Sequence, residues 1–155
     1  MLSVALHQGT GFVSRMIQWQ QRGLWSHASL VLRDGRVVES REFIGVQELE
    51  GIKPTKGEAI QLFEFDCTEG QAEAIETFAM AQIGKRYDYP MVFGFVSRSQ
   101  TEGHQSDGRW FCSELVFASL RYGGVNLLER IEPWQVSPTH LSLSPLLRAG
   151  AVLRG

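Results

Sequence analysis

The sequence predicts an α+β domain in which helices pack against a small antiparallel sheet. Two runs of β-prone residues flank an Asp-Gly turn signal, and other stretches repeat apolar residues at the spacing of a helix face. The chain has 155 residues, of which 43% are hydrophobic and 21% are charged, and this is the size and composition of one folded domain. We therefore expect residues 1–155 to form a single domain.

The first two predicted elements are a helix and a β-hairpin. The helix covers 11–22, where apolar side chains recur on one face, and Gly23 follows at a position where helices commonly end. The hairpin has its strands within 26–33 and 36–40, on either side of the turn signal Asp34-Gly35. This hairpin supplies the first two strands of the predicted sheet.

A third strand and a second helix are predicted next. The run 59–65 alternates as a half-buried strand does, and we expect it to join the sheet of the hairpin. Thr68 and Gln71 have the spacing of a capping box. The apolar stripe that follows them predicts a helix over 69–83, which ends at Gly84.

The last part of the chain combines a polar loop with shorter helices. Residues 97–109 are rich in polar and turn-forming types and predict a mobile surface loop. The apolar spacing from Phe111 onward predicts a helix that closes at Gly123-Gly124 and has Cys112 in its first turn. Ser137-Pro138 fits the start of a short helix, and we expect short irregular elements after it.

Charge and composition exclude several classes of protein. Fifteen basic against seventeen acidic side chains give a net charge of -2, without the basic excess that is typical of nucleic-acid-binding proteins. No apolar stretch approaches the roughly 20 residues of a transmembrane helix. Residues 1–6 lack the basic and apolar regions of a secretory signal. We therefore expect no nucleic-acid partner, no transmembrane segment and, by default, a cytoplasmic protein.

The histidines and cysteines are not spaced as metal ligands. His7, His104 and His140 lie far apart, without the HxxxH or HExxH spacing of zinc enzymes. Cys67 and Cys112 lack the CxxC spacing of zinc and redox sites, and two cysteines are too few for a disulfide scaffold. We therefore expect two free thiols, no metal and no cofactor.

Cys112 and His27 are candidates for a nucleophile and its base. A thiol in the first turn of a helix lies near the positive end of the helix dipole and near unpaired backbone amides, both of which favour the nucleophilic thiolate. His27 opens the first hairpin strand, whose rigid end would hold an imidazole in place to accept the thiol proton. Buried cysteines and lone strand histidines also occur as plain structural residues. The pattern leaves both interpretations open.

The register of the hairpin decides whether Glu39 joins His27. A two-residue turn pairs Leu30 with Glu39 and places Glu39 on the face opposite His27. A three-residue loop with Gly35 in the left-handed conformation pairs Leu30 with Val38, and Glu39 then shares the face of His27. We favour the second register because it sets Leu30 against an apolar partner rather than against a carboxylate.

Longer segments surround these candidate residues in a recognisable order. They are Gln18-Trp19, Trp25-Ser26-His27-Ala28, Glu39, Gly84-Lys85-Arg86-Tyr87-Asp88-Tyr89, Trp110-Phe111-Cys112-Ser113-Glu114-Leu115-Val116 and Val136-Ser137-Pro138. Together they resemble the circularly permuted NlpC-type papain-like hydrolases of the YaeF/YiiX group, over most of the chain. In that family the histidine and the third polar residue precede the cysteine, the reverse of the order in ordinary papain-like enzymes. The resemblance implies a papain-like fold with the nucleophile at a helix N-terminus.

The same resemblance implies a role for each candidate residue. Cys112 would be the nucleophile, His27 the base and Glu39 the residue that orients the imidazole. Tyr87 would lie near the cleft, where its phenol could donate to an oxyanion or contact the substrate, or it packs beneath a loop. Trp25 and Trp110 flank the proposed catalytic residues and would either line the cleft or pack in the core.

The function that the resemblance implies is that of a cysteine peptidase or amidase. It would cleave an amide bond, of cell-wall-type peptides, through an acyl-enzyme and without a metal or cofactor. One alternative is a lipid acyltransferase or thioesterase on the same scaffold, as in the lecithin:retinol acyltransferase type. Those relatives typically carry Asn-Cys-Glu at the nucleophile and a second histidine in place of Glu39, which this chain does not have. The other alternative is a phage-related binding or structural module that keeps the fold without turnover.

Overall fold

A six-stranded antiparallel sheet organises the fold in the computed structural model, which describes residues 1–88 and 108–155. Its strands are β1 (Ser3–Gln8), β2 (His27–Val31), β3 (Val37–Arg41), β4 (Gly45–Leu49), β5 (Ala59–Glu64) and β8 (Arg148–Arg154). They lie in the order β4-β3-β2-β1-β5-β8, and every neighbouring pair is antiparallel. Two further short strands form a separate parallel pair, β6 (Arg86–Tyr87) with β7 (Arg109–Trp110).

Helices accompany the sheet along the described chain. They are α1 (Phe12–Gln21), α2 (Glu69–Ala81), α3 (Cys112–Tyr122), the short α4 (Pro138–Ser142) and one turn of 3-10 helix at Pro133–Gln135. The capping box predicted for α2 is present, since the Thr68 hydroxyl accepts from the backbone of Gln71 and the Gln71 side chain accepts from the backbone of Thr68. Among the described residues, no helix has both the length and the apolar character that crossing a bilayer requires.

The hydrophobic core lies between the sheet and the helices α2 and α3. Helix α3 packs on β2 and β3 and also on α2, so its first turn comes close to the beginning of β2. The core is formed by side chains of both layers, which include Leu6, Leu30, Val38, Ile75, Val116, Phe117 and Leu120. This packing confirms the predicted α+β architecture, with an antiparallel sheet, helices against it and a cysteine at a helix N-terminus.

The hairpin of β2 and β3 has the register that apolar pairing favours. Leu30 pairs with Val38, and the N–H of Leu32 donates to the carbonyl of Arg36 over 2.7 Å. Gly35 has a φ of 91°, which lies in the left-handed region that a glycine adopts without strain. The three-residue loop is therefore confirmed, and Glu39 lies on the same face of the sheet as His27.

Three strands of the six-stranded sheet differ from the sequence-based expectation. The pattern does not predict β1 or β4, and the irregular segment expected after α4 is in fact the seven-residue strand β8. β1 is flanked by β2 and β5, so most of its side chains are buried and it lacks the polar alternation that marks a half-buried strand. β8 lies at the edge of the sheet with mostly exposed side chains, so it lacks an apolar face.

The polar loop predicted over 97–109 lies almost wholly outside the described residues. Its last residue, Arg109, belongs to β7 and pairs with Arg86. The chain therefore re-enters regular structure earlier than the pattern predicts. The reason is that β6 supplies a backbone partner for this segment from a distant part of the chain, which local sequence does not reveal.

Candidate active site

Cys112 occupies the first position of α3. The residue before it, Phe111, has an extended backbone, and its N–H donates over 3.2 Å to the buried carboxyl group of Glu114. Phe111, Cys112 and Tyr87 form a small cluster of buried side chains, against which Met16 and Trp134 pack. Only 1% of Cys112 is exposed. The thiol thus lies at the positive end of a helix in a nearly water-free environment.

His27 and Glu39 form a short hydrogen bond at the beginning of the hairpin. Nε2 of His27 lies 2.7 Å from Oε2 of Glu39, and the other carboxylate oxygen accepts from the Gln47 amide over 2.9 Å. Nε of Arg41 lies 3.4 Å from the same oxygen as Gln47. Both oxygens of the Glu39 carboxylate are therefore engaged, although only 1% of the residue is exposed.

The same imidazole lies beside the thiol of Cys112, close enough for a hydrogen bond and for an interaction between their charges. Because Nε2 of His27 is engaged by Glu39, Nδ1 is the nitrogen that remains for the thiol. Burial lowers the pKa of His27, but the negative charge and hydrogen bond of Cys112, followed by those of Glu39, outweigh it and raise the pKa to about 10. The imidazole of His27 is therefore favoured in its charged form, the imidazolium, beside the thiol.

The charge of Glu39 completes this chain of three groups. Burial raises the pKa of Glu39, but the hydrogen bond and charge of His27, helped by Arg41 and Gln47, lower it to about 2. The carboxylate is therefore ionised at neutral pH and accepts from Nε2–H of His27. In this protonation state, the imidazole can exchange a proton with Cys112 through Nδ1.

A small pocket of about 50 Å³ lies beside the imidazole of His27. Most of its lining side chains are polar, and they include one cation and two carboxylates. The lining consists of Ser14, Ile17, Ser26, His27, Arg41, Glu42, Glu58 and Tyr87. A substrate group in this pocket could contact the candidate base.

The three aromatic candidates lie in two different environments. Tyr87 lines the pocket and meets the ring of Phe111 edge-on, at a centroid distance of 5.9 Å. Trp110 packs against Phe78, and its indole N–H donates to Gln82 over 3.2 Å. Trp25 packs against the main core. The structure therefore brings Tyr87 to His27, while both tryptophans contact the core and neither lines this pocket.

A second histidine, His7, is buried beside His27, and no sequence pattern marks it. Nδ1 of His7 lies 2.8 Å from Glu58 and Nε2 lies 3.0 Å from the hydroxyl of Ser29. His7 pairs with His27 across β1 and β2, and their ring centroids are 4.9 Å apart. A signal for this residue would require recognising β1 as a strand, since only the pairing of β1 with β2 brings His7 to the site.

The environment of these histidines does not offer an open set of metal ligands. Both nitrogens of His27 and both nitrogens of His7 are engaged by protein groups. Within residues 1–88 and 108–155, no group of three or more histidine, cysteine, aspartate or glutamate side chains is arranged to hold a metal ion.

Comparisons with known proteins identify the fold. No protein-family model matches the chain, and no curated protein matches it significantly. The structure is similar to the crystal structure of the metalloprotein YiiX from Escherichia coli O157:H7 (DUF1105), with a TM-score of 0.70 and 17% sequence identity. The likeness covers 99% of this chain and 97% of that chain. The chain thus has the α+β fold of YiiX.

Proposed function

We propose that the protein is a cysteine hydrolase of amide bonds, built as a permuted NlpC-type papain-like enzyme. The observation that carries this proposal is the continuous chain of contacts from Cys112 through His27 to Glu39. A nucleophile, a base that touches it and a carboxylate that orients the base are the parts that thiol-dependent acyl transfer needs. The pKa values of His27 and Glu39 both favour the charged forms that this chemistry uses.

The proposed reaction proceeds through an acyl-enzyme. The thiolate of Cys112 attacks the carbonyl carbon of an amide, and the negative charge moves to the carbonyl oxygen. The imidazolium of His27 then gives its Nδ1 proton to the leaving amine as the C–N bond breaks, which leaves a thioester. His27 next takes a proton from water, whose oxygen attacks the thioester, and the thiol is restored as the acid leaves.

Two groups are proposed to stabilise the oxygen charge that develops in this reaction. The backbone N–H of Cys112 lies at the start of α3, where helical N–H groups have no partner within the helix. Tyr87 is the second proposed group, because it lines the pocket next to His27 and carries a phenolic O–H. Trp25 and Trp110 are proposed to support the site from the core.

A peptide or similar amide is the proposed substrate class. The pocket beside His27 is small and polar, and it carries Arg41 together with Glu42 and Glu58. Such a lining suits the charged and hydrogen-bonding groups of a peptide better than a fatty acyl chain. Cell-wall-type peptides remain the substrate that the resemblance implies. Lipid acyl transfer and a binding module without turnover are the alternatives that the experiments below separate.

The experiment that tests this proposal measures the alkylation rate of each cysteine against pH. The native protein is treated with iodoacetamide, and mass spectrometry follows Cys112 and Cys67 separately. Cys112 is expected to react well below the ordinary thiol pKa of about 8.5, and His27→Ala should abolish this behaviour. Burial raises the pKa of Cys67, which therefore serves as the unactivated internal reference.

A matched variant and a set of substrates complete the test. His140→Ala removes a histidine of α4 and should leave the profile of Cys112 unchanged. Peptide amides and lipid thioesters are then offered to the protein, and Cys112→Ala is expected to abolish their turnover. If Cys112 titrates as Cys67 does, the enzyme proposal is wrong and a binding module is favoured. Turnover of lipid thioesters alone would favour the acyltransferase alternative.

A further inference from the structure

A second hydrogen-bonded chain lies next to the proposed triad. It connects Ser29, His7 and Glu58 through contacts of 3.0 Å and 2.8 Å. The three residues come from β2, β1 and the segment before β5, and none of them belongs to the Cys112–His27–Glu39 chain. Ser29 is completely buried in β2, between β1 and β3 of the sheet. A different role must explain these polar groups in the core.

Hydrogen bonding fixes the protonation state within this chain. The hydrogen bond with His7, together with two hydrogen bonds from Thr55, outweighs burial and lowers the pKa of Glu58 to about 2. An ionised carboxylate only accepts, so Nδ1 of His7 must carry the hydrogen that it donates to Glu58. The Ser29 hydroxyl can then donate to Nε2 of an uncharged His7. These roles use every polar atom of the His7 ring.

Burial and the charge of His27 favour the uncharged form of His7. Burial lowers the pKa of His7, Glu58 raises it, and the charge of His27 lowers it further, so that the net shift is downward. Glu39 of β3 acts in the same direction as Glu58. The rings of His7 and His27 meet edge-on, with centroids 4.9 Å apart and an angle of 70° between their planes. Two positive rings at this distance would repel each other.

We propose that His7 is a positioning residue for the proposed Cys112–His27 pair. Its buried and uncharged ring, held at both nitrogens by Glu58 and Ser29, fixes the orientation of the His27 imidazole and leaves the positive charge to His27. The role rests on the proposed function, because it has meaning only if Cys112 and His27 form a reactive pair. His7 itself contacts neither the thiol nor a substrate in this scheme.

The test compares the pH profile of Cys112 alkylation among His7 variants. The inflection of this profile reports the pH at which the thiolate forms, whereas its plateau also depends on how easily the reagent reaches a buried thiol. His7→Ala is expected to move the inflection upward by about one pH unit, a tenfold loss of thiolate at a given lower pH. His7→Gln should restore most of the shift, since an uncharged planar amide can donate to Glu58 and accept from Ser29.

The control and the contrary outcomes separate the two proposals. His140→Ala should leave both the inflection and the plateau unchanged. If His7→Ala changes only the plateau, or changes nothing, the positioning role is wrong while the proposed function stands. If the inflection of Cys112 already matches that of Cys67 in the unmodified protein, the proposed function fails and the positioning role fails with it.

A measurement on the unmodified protein covers the case in which His7→Ala does not fold. The ¹⁵N chemical shifts of the imidazole nitrogens distinguish a charged ring from each uncharged tautomer. At pH 7, His7 is expected to be uncharged with its hydrogen on Nδ1, and His27 is expected to carry hydrogen on both nitrogens. A charged His7 beside a charged His27 would overturn the proposed division of charge.

Discussion

Glu39 shows how much of the proposed site depends on a single residue. Its carboxylate is bound at both oxygens, by His27 on one side and by Gln47 on the other. It faces His27 only because the three-residue loop at Gly35 brings Leu30 opposite Val38. A backbone conformation in an exposed turn thus decides which side chain meets the imidazole.

Replacing this carboxylate by an amide tests the contribution of its charge. Glu39→Gln keeps an oxygen that accepts from Nε2–H of His27 but removes the charge that stabilises the imidazolium. We expect the inflection of Cys112 alkylation to rise, and kcat/KM toward any amide substrate to fall by about tenfold to a hundredfold. Glu48→Gln, on the exposed face of the neighbouring strand, is the control and should change neither quantity. A Glu39→Gln protein with the unmodified profile would exclude an electrostatic role for this residue.

Glu114 provides a prediction about stability and pH. Burial, and then the nearby charge of Asp88, raise the pKa of Glu114 to about 7, although the hydrogen bond from the Phe111 backbone opposes this. A carboxyl group whose pKa rises on folding stabilises the folded state most below its ordinary value of 4.5. This contribution is lost as the pH rises from 4.5 through 7.

Glu114→Gln should therefore become more stable relative to the unmodified protein as the pH increases. The amide still accepts from Phe111 but cannot ionise, and the largest expected gain in the free energy of unfolding is about 3 kcal/mol at pH 8. At pH 4 the two proteins should unfold at similar denaturant concentrations. Glu73→Gln, an exposed change in α2, should show no such dependence on pH. An equal gain in the free energy of unfolding at both pH values would refute the raised pKa of Glu114.

At the level of elements, the turn between β3 and β4 fixes the segment that carries Tyr87. The N–H of Val46 donates to the carbonyl of Lys85 over 2.8 Å, and the N–H of Gly84 donates back to Val46 over 2.9 Å. Gly45 has a φ of 92°, and a Cβ atom added to it would lie only 2.3 Å from the oxygen of Lys85. The close approach of these two segments therefore requires a glycine.

Gly45→Ala is expected to be strongly destabilising for this reason. The left-handed backbone costs an alanine about 1 kcal/mol, and the contact with the Lys85 oxygen adds to it, so we expect a total loss of about 2–4 kcal/mol in chemical denaturation. Gly70→Ala is the matched control. It lies in α2 with open space around its Cα, and alanine there should stabilise the protein by about 0.5–1 kcal/mol. Equal effects at the two positions would contradict this account.

The elements also show what the sequence can and cannot predict. The hairpin, α2 and the start of α3 depend on local signals, namely a turn, a capping box and an apolar stripe, and all three are predicted correctly. β1 depends on pairing with β2 and β5, which are distant in the chain. Its own sequence therefore gives no local signal for a strand. His7 is missed together with the strand that holds it. Trp25 and Trp110 are predicted either to line the cleft or to pack in the core, and only tertiary packing places both against the core.

For the molecule as a whole, access to Cys112 is the main restriction. Cys112 is 1% exposed and forms a buried cluster with Phe111 and Tyr87, against which Met16 of α1 and Trp134 of the 3-10 turn pack. Hence neither a substrate nor an alkylating reagent can reach it in this conformation without a local opening. The alkylation rate at a high pH should then reflect how often the side chains of this cluster and those packed against it move apart.

Trp134→Ala should make this opening easier. Removing the indole from the cluster is expected to raise the plateau of Cys112 alkylation about tenfold, while the inflection stays at the same pH because His27 and Glu39 are untouched. Trp19→Ala is the matched control, since 75% of Trp19 is exposed and its removal should leave the plateau unchanged. An inflection that moves in Trp134→Ala would mean that this side chain also affects the proton equilibrium of the pair.

The order of the proposed catalytic residues along the chain has a consequence for folding. His27 and Glu39 meet as soon as their hairpin forms, but Cys112 reaches them only when α3 docks on β2 and β3. Such contacts between distant segments form late, because closing a long loop costs entropy before any contact repays it. Under the proposed function, a nascent or partly folded chain would therefore lack the contact between Cys112 and His27, and the thiol would be activated only once α3 has docked. The thiol would in this way become reactive only after the protein has folded.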